Sequence, residues 1–220
     1  MKELTLLLSL FLCIVLTASA QNKIGILPQI NTKLKISDGW EGSSKLEAKQ
    51  IFFQNPYPNS ESETEFERID LESVFTRTKG PLSGVGLGYL IRYNGDYFIH
   101  RFIQQYSFSK KLTSLQISHR IRTDQTLEKD EATRYRLRYR IGLKKPLDNS
   151  NNFFLEFNNE YLSSLQDKKG NLEIRAVGLV GYNISEKDQF EVGLDYRAEK
   201  LIKTKTEHEL WLAVGWSHDF

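Results

Sequence analysis

Four arginines at alternate positions, Arg134, Arg136, Arg138 and Arg140, are the densest concentration of reactive chemistry in this 220-residue sequence. Spaced by two, they leave one face of an extended segment, because strand side chains alternate between faces. A guanidinium offers a planar fork of donors that suits carboxylate or phosphate oxygens, so such a row needs acids beside it or an anion in front of it. Arg120 and Arg122 repeat the spacing upstream, and Glu156 and Glu160 share one face downstream. A hairpin centred near Asp148 sets Arg140 opposite Glu156, Arg138 opposite Asn158 and Arg136 opposite Glu160, as cross-strand ion pairs and hydrogen bonds. On the other flank Arg134 and Arg136 fall near Arg122 and Arg120, and that excess of cations calls for acids from elsewhere, with Asp70, Glu72 and Glu191 as candidates. The network reads either as paired charge that fills an interior, or as the lining of a narrow small-solute channel or anion site.

Other candidates for chemistry are weaker. His100 and His119 fall on the apolar faces of adjacent segments, and a turn at Lys110 makes them neighbours, as an outer-membrane lipid-active enzyme would need. Ser107 and Ser118 lie on the opposite parity, so no nucleophile joins a base there, and an interfacial histidine pair is the expectation. His208 and His218 show no metal spacing, and the acidic runs at 61–67 and 128–131 lack a calcium-loop pattern. Gly84, Gly86 and Gly88 alternate along a strand with no helix after them, which suits small inward residues beside a bulky neighbour such as an arginine rather than a phosphate loop. No cofactor, metal or catalytic residue is expected, and the chain is read as non-enzymatic.

The elements that carry these residues are strands. Tyr135, Leu137, Tyr139, Ile141 and Leu143 alternate with the arginine row, and Phe190, Val192, Leu194 and Tyr196 alternate with Gln189, Glu191, Gly193 and Asp195. Near the C-terminus Leu210, Leu212, Val214, Trp216 and Phe220 share a parity, with Trp211 as the exception on the other face. Turn residues punctuate about eleven such segments, most of them longer than the roughly 5 to 6 residues of an ordinary strand. Such lengths exceed the roughly 9 to 11 residues needed to cross hydrocarbon. A spanning sheet must close on itself to pair its backbone groups, and bacterial barrels have even strand numbers. The expectation is an all-β, closed, antiparallel up-and-down transmembrane β-barrel of 10 to 12 strands, twelve preferred, and an even count requires Ile24 to Ser37 to be split or discarded, or another boundary to move.

Charge and terminus limit the setting. With 30 Lys and Arg against 28 Asp and Glu, the net charge of +2 and the lack of a basic block argue against nucleic acid as a partner. Lys2, the apolar run from Leu4 to Leu16, and Ala18-Ser19-Ala20 form the three parts of a signal peptide over residues 1–20. Cys13 lies inside that run, so the mature chain, one barrel domain over residues 21–220, would hold no thiol. Outer-membrane lipids are the expected partners of the apolar face, while a soluble lipocalin-like carrier, with that face turned inward, is the main alternative.

The segments Asp38-Gly39-Trp40, Leu87-Gly88-Tyr89, Ser118-His119-Arg120, Arg136-Leu137-Arg138-Tyr139 and Trp211-Leu212 to Phe220 resemble the domain of unknown function 2490 family. The resemblance covers about residues 30–220. It implies an outer-membrane barrel of a double-membraned bacterium and supplies no catalytic residues. Trp216 and the terminal Phe220 also resemble the C-terminal aromatic signal read by the outer-membrane barrel assembly machinery, which is thereby implied as a partner during insertion.

Overall fold

A computed structural model describes residues 21–55, 64–80, 82–203 and 205–220. The proposed leader and Cys13 lie outside the described residues. Eleven strands form one closed barrel: β1 (Gln21–Ser37), β2 (Trp40–Asn55), β3 (Glu65–Thr78), β4 (Ser83–Tyr93), β5 (Phe98–Lys111), β6 (Gln116–Leu127), β7 (Arg134–Pro146), β8 (Phe153–Gln166), β9 (Lys169–Asn183), β10 (Asp188–Glu199) and β11 (Glu207–Asp219). Each pairs with its sequence neighbours in antiparallel fashion, and β1 closes on β11 in parallel, with Asn31 beside Ser217.

The count of eleven falls within the expected 10 to 12, one short of the preferred twelve, and the parallel closure corrects the wholly antiparallel expectation. The closure follows from the count. When every strand reverses its predecessor, the first and eleventh run the same way, so an odd barrel closes through one parallel pair. Residues 21–37 neither split nor drop out of the sheet, and form the longest strand. Pro28 sits within that strand, where no β2 partner is paired with Leu27 or Pro28, so its missing N–H breaks no antiparallel bond.

Alternation sorts side chains as the sequence implies. Phe75, Leu87, Phe102, Leu137, Phe157 and Leu194 stand exposed on the outer face, while Asp70, Arg101, Arg122, Asp124, Glu160 and Arg197 are buried inside. A bulge at Lys49/Gln50 breaks the alternation in β2. Just beyond it, consecutive Phe52 and Phe53 are both exposed. Trp211, the exception to its strand's pattern, is fully buried against Leu27 and Ile51 in a small apolar cluster, and Val74, Leu90 and Leu179 are further buried apolar residues lining the interior beside the charges.

Reversal of direction also sorts the connections. The β1–β2, β3–β4, β5–β6, β7–β8 and β9–β10 connections start from one end of the barrel, and the β2–β3, β4–β5, β6–β7, β8–β9 and β10–β11 connections from the other. The end reached by Asp219 is therefore the one that carries the 147–152 connection.

Candidate functional site

The barrel interior gathers the charged residues, in a register different from the one read off the sequence. Around the 147–152 connection Leu147 N–H donates to the Phe153 carbonyl, so the hairpin is centred on residue 150 rather than on Asp148. Moving the centre by two moves every partner by four. Arg140 therefore faces Glu160, Gly142 faces Asn158 and Lys144 faces Glu156, which corrects the expected pairs. On the other flank, a turn centred on Asp130, with its φ of 61°, sets Arg140 opposite Arg120, Arg138 opposite Arg122 and Arg136 opposite Asp124.

The new register brings most of the candidates together. Arg138 Nη2 donates to Glu160 Oε2 at 2.6 Å, and Arg120 Nη2 donates to Glu160 Oε1 at 3.1 Å, so one carboxylate holds two guanidiniums. Arg122 makes a two-pronged contact with Glu72 at 2.9 Å through each terminal nitrogen, and also donates to Gln105. Asp70 is one of the acids the arginine row required in the sequence, yet it holds Arg92 through paired bonds of 2.7 and 2.6 Å. Arg134 is the outlier, donating from Nε to Gln166 at 2.7 Å near the other end of the barrel. Glu156 accepts from Asn158, while Glu191 lines the cavity without an arginine in ion-pair contact among the described residues.

The sequence reading missed Asp124. Fully buried, it accepts from Arg136 Nε at 2.5 Å and lies 3.7 Å from Arg101 and 3.9 Å from Arg138. Its parity with Arg120 and Arg122 was the available signal. Lys49 was missed as well; it is buried, donates to Glu209 at 2.9 Å and to Glu67 at 3.2 Å, and stands 4.1 Å over the Trp211 ring. Trp211 Nε1 donates to that same Glu209, which explains how an indole fits among charges. Further pairs join residues two apart on a strand, Lys45 with Glu47, Glu173 with Arg175, and Asp195 with Arg197. Opposite charges at a spacing of two on the inward parity were legible signals for all three.

A cavity of about 670 Å³ remains among these side chains. Eleven arginines and two lysines line it against ten carboxylates, leaving the lining net positive. The side chains nearest to Gly84, Gly86 and Gly88 are those of Val74, Thr76 and Gln105 rather than an arginine, and a β-carbon at these positions would collide with them.

The histidines separate too. His119 faces Phe108 and His100 faces Leu127, because Lys110 and Lys111 continue β5 and the turn falls at 112–115. His100 bonds Tyr89, His119 bonds Tyr139 and His208 bonds Tyr196, each through Nδ1 and a phenol oxygen at 2.5 to 2.8 Å, on the outer face. His218 Nδ1 lies 2.8 Å from Asp188. Among the described residues no cluster of three metal-ligating side chains occurs.

This pattern of one charged inner face and one apolar outer face spans the segment 25–219, and that segment matches the family model described as Protein of unknown function (DUF2490). The chain belongs to this family. No curated protein matches it. Membership agrees with the resemblance drawn from strand patterns and carries no activity with it.

Proposed function

We propose that the chain is an exported outer-membrane β-barrel protein, non-enzymatic, whose eleven strands depart from the even number usual in bacterial barrels and whose lumen is filled by paired charges. The observation that carries this reading is the outer face. Strands of 11 to 17 residues present large apolar side chains outward all around the barrel, with Leu87 65% exposed and Phe75 58% exposed. Large apolar area turned outward on every side marks contact with lipid or another apolar surface. A soluble carrier of an apolar ligand has the reverse arrangement, with charge outward. In this reading the 147–152 end faces the periplasm, the assembly machinery reads Trp216 and Phe220, and lipids cover the outer face.

Cell fractionation tests the proposal. The mature protein is expected in the outer membrane, resistant to carbonate extraction, and fast-migrating on a gel unless boiled. Recovery from the soluble periplasm would sink it. The second reading, a narrow small-solute channel, draws on the cavity of about 670 Å³ and differs in predicting open conductance.

A further inference from the structure

We propose that the barrel interior binds a small phosphate-type oxyanion between Arg120 and Arg140, at the end of the arginine row nearest the 147–152 connection. The two residues face each other across β6 and β7 on the inner side, and both line the cavity. Facing like charges on neighbouring strands repel unless an acid intervenes. Here the acids do not suffice. Arg120, Arg138 and Arg140 have Glu160 in common, and Glu160 makes its ion-pair contacts with the first two only.

Arg140 forms no hydrogen bond or ion pair among the described residues, although the charges of Glu160 and Glu156 reach it. Glu72 is occupied by Arg122, Asp124 by Arg136, and Glu156 accepts from Asn158. The cavity lining as a whole carries eleven arginines and two lysines against ten carboxylates, and a bound anion would supply part of the missing charge. A guanidinium fork on each side suits the several oxygens of a phosphoryl group, whereas a single carboxylate is already satisfied by one fork. The cavity volume falls within the range of about 300 to 1,000 Å³ usual for small-molecule sites. Because the site is internal, it does not depend on what meets the outer face, and its test is separate from fractionation.

The experiment uses the full mature chain purified in a zwitterionic detergent, titrated with inorganic phosphate at constant ionic strength by calorimetry and phosphorus NMR. Saturable binding at one site is expected, weakened tenfold or more in Arg140→Gln and unchanged in Lys111→Gln, which removes a charge from the exposed end of β5. Arg140 has no direct partner to orphan, so the variant should keep its heat-modifiable gel migration, and Arg140→Lys should recover part of the affinity. Acetate at the same ionic strength is expected to compete poorly. Binding that does not saturate, or that weakens equally in Arg140→Gln and Lys111→Gln, would overturn the site. Acetate competing as well as phosphate would overturn the phosphate-type assignment.

Discussion

At the scale of single residues, Asp124 decides more than its place in the sequence suggests. It is the carboxylate nearest to Arg101, Arg136 and Arg138 together, and it is buried with almost no exposure. Breaking a buried ion pair from one side leaves an uncompensated charge, at a cost of about 3 to 5 kcal/mol. Asp124→Asn is therefore expected to lower stability by that amount in a urea titration of the vesicle-embedded protein. The double variant with Arg136→Gln should recover part of the loss, because it removes one of the stranded cations. A loss under about 1 kcal/mol would show that water inside the barrel screens these charges. Parity with Arg120 and Arg122 places Asp124 inward in the sequence, but only the barrel's closure brings Arg101, Arg136 and Arg138 around it. Trp211 was legible only as an anomaly: periodicity shows that an indole breaks the pattern, but not that Glu209 and Lys49 receive it.

At the scale of strands, the assignment of faces was readable and the pairing was not. Alternation fixes which side of a strand is inward, since a strand's side-chain period is two. Pairing depends on where each turn is centred, and turn residues such as those at 126–131 and 146–151 mark a region several residues wide. Displacing a centre by two changes each partner by four and keeps the same face, which is why the arginine row stayed inward while its predicted partners changed. The parallel seam was hidden for a further reason: local patterns carry no information on how the ends of a sheet meet. Cross-linking tests it directly. Asn31 Nδ2 donates to Ser217 Oγ at 3.3 Å across the β1–β11 pair, and the mature sequence is expected to hold no other thiol. The pair Asn31→Cys with Ser217→Cys is expected to oxidise to an intramolecular disulfide, detected as a linked peptide by mass spectrometry. Asn31→Cys with Gly193→Cys, which lies on β10, should not. A twelve-strand antiparallel barrel would separate β1 from β11 and give no link in either.

At the scale of the whole molecule, the question is whether the interior conducts. A barrel of this size has room for water, and its cavity of about 670 Å³ would suit a small solute. Conduction, however, needs a continuous path with weak binding along it. The inward residues oppose that: Arg122 with Glu72, Arg120 and Arg138 with Glu160, and Arg101 and Arg136 with Asp124 link β3, β5, β6, β7 and β8 by short charged contacts. On the remaining wall Lys49 of β2 with Glu209 of β11 does the same, Arg197 pairs with Asp195 two residues away on β10, and Trp211, Leu27 and Ile51 fill the space beside them. Each contact is charge-assisted and partly dry, so opening a path means separating several at once. The expected result in a planar bilayer is no steady conductance for the wild-type chain. Replacing Arg120, Arg138 and Glu160 together by serine removes the shared carboxylate and both of its cations, and should give discrete openings. Steady openings of the wild-type protein would show instead that the paired charges line a pore, and would move the functional assignment to the channel.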